Sequence, residues 1–254
     1  MQIIQSPAKL MKFDDQRDER EPTAALFPNK TKELVALCQQ LSEKDIAGCM
    51  KINATMAHEV YAQFQTYFFK NTPERAAALA YNGIAYAGLN AHDFSAEEYG
   101  FAQHHLNILS ALYGILRPFD AIRPYRLDMQ MDIAPQGYRS LYPFWQESVN
   151  ATLSKKLKKE KEKTIILVAS NEYAKVIQHS RLPRDTRVIE IRFLQQENNN
   201  FKQIVVHTKK ARGLLSRFII KNRLTEAEDV KGFDDENYFF YPALSKENEW
   251  VFVR

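Results

Sequence analysis

The sequence predicts a single α/β domain with a mixed sheet, on three observations. Two apolar runs, residues 1–5 (MQIIQ) and 164–169 (TIILVA), have the length and continuity of buried strands, and each runs into a serine. Amphipathic segments opened by helix-capping residues lie between and after them. The chain has 254 residues and 45% apolar composition, enough for a sizeable core in one large domain or two small ones, and no internal repeat divides it. Residues 1–254 are therefore expected to form one domain whose sheet gathers distant pieces of chain, with a mainly helical insertion over about residues 31–155.

In chain order, residues 1–5 form a strand that ends at Ser6-Pro7-Ala8-Lys9. Residues 12–30, densely charged and carrying Pro22 and Pro28, read as a loop or extended arm. Residues 31–41 are amphipathic and helical, and Ser42 with Asp45 marks the start of the next helix. Residues 53–69 form a longer helix with Met56, Val60, Phe64 and Tyr67 on or near one face. Thr72-Pro73-Glu74 reads as a helix start, and the glycines and aromatics of residues 80–90 (AYNGIAYAGLN) as a strand or tight turn. Ser95 and Glu98 form a capping box for a helix that runs to about Leu112 and is ended by Tyr113-Gly114. Pro118 and Pro124 forbid one continuous helix beyond it. Residues 155–163 (KKLKKEKEK) are a solvated helix end or linker. After the strand at 164–169, Ser170-Asn171 caps a helix. Residues 187–193 and 202–208 are strands joined by a polar turn at 195–200, a basic helix follows at 209–224, and residues 249–253 alternate as a terminal strand.

The basic helix, KKARGLLSRFIIKNRL, carries Lys209, Lys210, Arg212, Arg217, Lys221 and Arg223 and no acid. At about 100° per residue, Ala211, Leu214, Leu215, Phe218 and Ile219 fall on one arc and the cations on the other, with Gly213, Ser216 and Ile220. Cations without acids repel one another, so this face calls for an anionic partner such as nucleic acid, a phosphorylated ligand or a membrane surface. Gly213, at a cost of about 1 kcal/mol in a helix, fits close approach by a ligand backbone. If every one of these cations met phosphate on duplex DNA, the salt slope would be about −5. The net charge of +4 is mild, so the basic signal is local.

Several classes are disfavoured. Cys38 and Cys49 sit in helical surroundings and read as reduced thiols, with no zinc spacing and only scattered histidines. No metal site or cofactor is expected, and iron binding finds no motif. No Gly-rich nucleotide loop, Walker motif, H-E-x-x-H or nucleophile elbow occurs. With no cationic leader and no long apolar run, the expected location is the cytoplasm, with no membrane partner and no obligate protein partner.

Two further constellations carry chemistry. If the strands at 1–5 and 164–169 are neighbours, Lys9, Ser170, Glu172 and Lys175 converge beyond their carboxyl ends, where sites form in open α/β sheets. There Lys9 suits a nucleophile or phosphate ligand, Glu172 a general acid or base, and Tyr86 or Tyr173 a stacking surface. The bland alternative makes Ser6 and Ser170 helix caps and the charges solvated. The second stretch, residues 109–129 (LSALYGILRPFDAIRPYRLDM), has the form of a helix-hairpin-helix turning at Tyr113-Gly114. Such a hairpin presents backbone N–H groups to phosphate, and Arg117, Arg123 and Arg126 favour that use. An ordinary helix-turn corner is the plainer alternative.

At these residues the chain resembles the YaaA family of bacterial peroxide-stress proteins. The matching pieces are residues 4–9 (IQSPAK), Tyr86-Ala87-Gly88-Leu89, residues 109–129, Ala169-Ser170-Asn171-Glu172-Tyr173, the basic helix and Tyr238-Phe239-Phe240, in family order. The resemblance implies a single-domain "cantaloupe" fold with a helix-hairpin-helix and a basic cleft. It implies DNA binding without strong sequence specificity, favouring distorted or branched forms, and a role in limiting iron-linked oxidative damage under hydrogen peroxide. It implies no secure catalytic activity. The expected DNA contacts are Lys9, Tyr113, Gly114, Arg117, Arg123, Arg126, Lys209, Lys210, Arg212, Arg217 and Lys221. The rival is an enzyme on a nucleobase or nucleotide with Lys9 and Glu172 at its centre. The family commonly has Gly-Asp-Val-Tyr where this chain has Gly83-Ile84-Ala85-Tyr86, and Asp where it has Asn171. Both departures remove a carboxylate.

Overall fold

Gln2–Gln5 (β1) is buried along its whole length, as a strand with no solvent face must be. The computed structural model describes residues 1–13, 21–198 and 200–254, so much of the charged arm expected over 12–30 lies outside the described residues. Three helices follow: Pro28–Gln39 (α1), Glu43–Met50 (α2) and Ala54–Gln65 (α3). Ser42 caps α2 through the expected box with Asp45, and Asn53 caps α3. Next come Arg75–Ala76 (β2), Ala77–Ala80 (α4), Ile84–Leu89 (α5) and Ala96–His105 (α6). Leu106–Ser110 (β3), Gly114–Leu116 (β4), Ala121–Ile122 (β5) and Leu141–Leu157 (α7) follow. The last third holds Thr164–Leu167 (β6), Asn171–Ala174 (α8), Arg187–Glu197 (β7) and Asn200–Lys202 (β8). It then holds Val205–Lys221 (α9), Phe239–Phe240 (β9) and Glu249–Val253 (β10).

The main sheet has the order β4-β3-β1-β6-β7-β10-β9, with β8 paired to β7. Strands β3, β1, β6, β7 and β10 are parallel, and β4 and β9 are antiparallel edges. Ile3 faces Leu106 on one side and Ile166 on the other. The chain leaves β1 for β3 on one flank and returns to β6 on the opposite flank. The carboxyl ends of β1 and β6 thus lie where the strand order reverses, the usual place for a crevice in an α/β sheet.

Several expectations fail locally. The helix opened by Ser95 stops at His105 and not near Leu112, because every residue of β3 is buried and β3 pairs with β1 inside the sheet. Two-sided burial here overrides local helical pattern. Residues 109–129 are consequently not a helix-hairpin-helix: β3 turns into β4 as a tight β-hairpin, with Ser110 opposite Gly114. The Ser110 hydroxyl holds that turn by accepting from the N–H groups of Leu112 (3.2 Å) and Tyr113 (3.1 Å). Gly114 does adopt a positive φ, +74°, but what approaches it is the Trp145 ring, 2.4 Å from where a Cβ would stand. Residues 72–74 start no helix; they lead into β2, which pairs with β5. Residues 84–89 form α5, ended by Asn90 in the left-handed region, and residues 205–208 already belong to α9. The mainly helical segment expected over about residues 31–155 also supplies β3 and β4 to the main sheet.

Helix α9 also departs from its helical-wheel reading. Gly213, Ser216 and Ile220 are buried together with Ala211, Leu215 and Ile219. At Gly213 a Cβ would stand 1.8 Å from the Ala85 carbonyl oxygen, and at Gly88 one would stand 2.7 Å from the Lys210 carbonyl oxygen. Two glycines thus let α5 and α9 cross backbone on backbone, and the approach expected of a ligand at Gly213 is made by α5. Four of the six cations are also compensated. Arg217 is bidentate to Asp93 (2.7 and 2.6 Å), Lys221 pairs with Asp93 and Glu98, Lys210 with Glu236 and Arg223 with Glu97. The acids come from distant parts of the chain, which a local charge count does not see.

Candidate functional site

β1 and β6 are parallel neighbours, and a pocket of about 450 Å³ opens beyond their carboxyl ends. Ser6 joins the two strand ends: its hydroxyl accepts from the Ser170 N–H at 2.8 Å and lies 3.3 Å from the Ser170 hydroxyl. Ser6 thus braces a strand and is no helix cap. Ser170 stands at the N-cap of α8 but makes no side-chain capping bond. Tyr86 on α5 donates to the Ser6 carbonyl at 2.9 Å, which fixes the aromatic wall against the same loop.

Four cations line this pocket: Lys9, Arg126, Lys209 and Arg212. Lys9 is exposed and pairs with Asp128 at 2.7 Å, a surface contact worth little to stability. Arg126 and Arg212 each bury a guanidinium Nε that has no hydrogen-bond partner. Burial pushes the Arg212 pKa down, opposed by the charge of Glu190, yet a guanidinium stays protonated. Gln5, only 1% exposed, also lines the pocket, and neither polar atom of its amide has a partner of hydrogen-bond geometry, although it lies near the Tyr86 hydroxyl. An unpaired buried polar group is costly, and four such atoms belong to three residues that line this one cavity.

The acidic side is formed by Asp128 and Glu172. Glu172 accepts from the Met129 N–H at 3.1 Å. Burial raises its pKa, Asp128 adds to the rise, and Lys9 and the backbone N–H groups of Gln130 and Met129 oppose it. A carboxyl so placed keeps its proton to higher pH than a solvated glutamate and suits general-acid duty.

A chain of tyrosines runs inward from the pocket. The rings of Tyr86 and Tyr81 lie 5.1 Å apart, and the Tyr81 and Tyr125 hydroxyls 2.7 Å apart. The Tyr125 ring meets that of Tyr113 edge-on at 5.4 Å, and the Tyr113 hydroxyl lies 2.5 Å from that of Tyr67.

Of the residues singled out in the sequence, Lys9, Arg126, Glu172, Lys209 and Arg212 come together, with Ser170, Tyr86 and Tyr173. Lys175 is exposed and does not line the pocket. Arg117 is held by the buried Asp120, Arg123 by Glu74, and Tyr113 is buried. Gly114 lies under Trp145, and Lys210, Arg217 and Lys221 are in the ion pairs above. Sequence reasoning missed Gln5, Asp128 and Asn82. A glutamine closing an apolar strand was the one available signal for Gln5. Of the two departures from the family pattern, Ile84 lines the α5 wall, while Asn171 is exposed on α8. Cys38 and Cys49 are free thiols, and burial raises the Cys38 pKa to about 12. Among the described residues no helix is long and apolar enough to cross a membrane, and no group of three or more His, Cys, Asp or Glu side chains is placed to hold a metal ion.

Comparison with known proteins finds similarity along nearly the whole chain. The model of the family described as "Peroxide stress protein YaaA" matches residues 1–244. A UPF0246 protein of Saccharophagus degradans is 39% identical over 256 aligned residues, covering 100% of this chain and 99% of the relative. A UPF0246 protein of Teredinibacter turnerae is 38% identical over 256 residues with the same coverage. By a match of that length and identity, the chain belongs to the peroxide stress protein YaaA family.

Proposed function

We propose that this protein serves the peroxide-stress response in the cytoplasm by binding DNA, with the strand-end pocket as its point of engagement. The supporting observation is that Arg126 and Arg212, both with buried, unpartnered Nε atoms, share one cavity with Lys209 and Lys9. A duplex does not enter a cavity of about 450 Å³. The reading is that phosphates of one strand meet the cations at the mouth and a single unstacked nucleotide enters. Extruding a nucleotide costs a few kcal/mol, and least where pairing is already broken, so bulged, branched or damaged DNA is preferred. Covering such sites would limit iron-linked oxidative damage.

Retention of bulged and intact duplex across a salt series tests this. With four cations engaged, log affinity should fall against log salt with a slope of about −3 to −4. Arg126→Glu with Arg212→Glu should remove binding at moderate salt while the circular dichroism spectrum is kept, and Lys210→Gln should leave it nearly unchanged. Unaltered retention by the double variant refutes the placement of the site. A second reading, an enzyme on a nucleobase or nucleotide, draws on Glu172 and Lys9 sharing the pocket. Analysis of DNA recovered after incubation, with Glu172→Gln beside the parent, decides it: covalent change lost in the variant favours the enzyme.

A further inference from the structure

We propose that the pocket binds a free nucleoside 5′-monophosphate, with the phosphate on Arg126 and Arg212 and the nucleobase edge on Gln5. The inference rests on the reading above that the pocket takes a nucleotide unit, and it adds a ligand class and a residue that reads the base.

The donors and acceptors left open define the ligand. Arg126 and Arg212 offer buried N–H donors on charged groups, so one part of the ligand is an anion with several acceptor oxygens. Gln5 offers one donor and one acceptor side by side from a side chain that is 1% exposed and fixed in β1. Its complement is a group carrying a donor and an acceptor on the same edge. Nucleobases have such edges, and glutamine pairs with adenine in this bidentate way. A trans peptide does not, because its N–H and C=O point to opposite sides. A phosphopeptide therefore leaves Gln5 half-satisfied, and inorganic phosphate leaves it bare. The rings of Tyr86, Tyr125 and Tyr173 line the same cavity and give a base apolar faces to lie against. The volume, about 450 Å³, is in the range of pockets that enclose one small ligand.

The test is calorimetric titration of the full chain with each 2′-deoxynucleoside 5′-monophosphate, with 2-deoxyribose 5-phosphate and with inorganic phosphate. At least one mononucleotide should bind, roughly tenfold to a hundredfold more tightly than deoxyribose phosphate, the discrimination expected of one bidentate pair. Gln5→Leu should bring the two to within about threefold by weakening the nucleotide and leaving the sugar phosphate unchanged, with a single cooperative thermal melt retained. Arg212→Gln should weaken both ligands together. The proposal is overturned if no mononucleotide binds at millimolar concentration, if sugar phosphate binds as tightly, or if Gln5→Leu leaves the ratio unchanged. DNA retention in the absence of mononucleotide binding overturns this inference and leaves DNA binding standing. Loss of both removes both.

Discussion

Burial of Gln5 with both amide atoms unpaired is a cost carried by the folded chain, about 1–3 kcal/mol for an orphaned polar group. Gln5→Leu fills the same volume without that cost, so it is expected to raise unfolding free energy by roughly 1 kcal/mol or more in urea titration, while it removes base reading. A decrease would show that Gln5 is satisfied in the folded protein.

Titration of buried groups gives a second prediction. Tyr67, Tyr81, Tyr86, Tyr113, Tyr125 and Tyr173 are buried, and burial raises the pKa of each above 10.0. Their stabilisation is fully present below pH 10.0 and is lost as pH rises past it, because the unfolded phenols ionise first. Lys156 behaves oppositely. Burial, and then Arg117, lower it from 10.5 to about 8, and it donates to Asn107 at 2.6 Å. Its contribution is present above 10.5 and is lost as pH falls through about 8. Urea midpoints should therefore gain from Lys156 between pH 8 and 10, and that gain should vanish in Lys156→Met. The loss above pH 10, followed by tyrosinate absorbance, should persist. Single residues were only partly legible in the sequence. Lys9 and Glu172 stood out by chemistry beside a strand end, whereas Asp128 lies within the arginine-bearing stretch 109–129 and gains a place in the pocket only when the fold brings it to Lys9.

At the scale of elements, the crossing of α5 and α9 makes the sharpest prediction. Gly213→Ala gains about 1 kcal/mol of helix propensity. It also forces a methyl to 1.8 Å from a backbone oxygen that no rotamer change can move. Overpacking costs typically 1–3 kcal/mol, more against backbone, so the variant should be destabilised on balance and should displace Arg212 from the pocket. Gly100, inside α6 with nothing within 4 Å of its Cβ position, is the control: Gly100→Ala should stabilise by a few tenths to about 1 kcal/mol. Melts of the two variants check the pair, and equal shifts would dismiss the crossing as the cause. The amphipathic character of α9 was readable because it is periodic. Its neutralising acids were not, since Asp93, Glu97, Glu98 and Glu236 are separated from it along the chain. β3 was misread because a strand buried on both faces carries no alternation to distinguish it from a buried helix.

For the whole molecule, two apolar runs that each end in serine marked β1 and β6 as strands, and a candidate site beyond them was conditional on their being neighbours, which they are. The strand order around them did not follow, because parallel pairing between residues more than a hundred apart leaves no local trace. The ion pairs of α9 also set the charge that the molecule shows to a polyanion. Asp93 is held below the usual carboxylate range chiefly by its hydrogen bonds to Arg217, with Lys221 adding to them. Asp93→Asn removes the carboxylate partner of Arg217 and leaves Lys221 on Glu98, so DNA retention should rise and its salt slope should steepen by about one. An unchanged slope would mean that Arg217 lies outside the contact surface.

The glycine crossing has one further consequence. The aromatic wall carrying Tyr86 and the cationic wall carrying Arg212 are on two helices that touch main chain to main chain. Their spacing is a gauge set by two missing methyl groups, and no side chain can adjust it. The pocket is thereby held open at one width before anything enters, and a relative that enlarges either glycine must rebuild the other helix to keep the same gap.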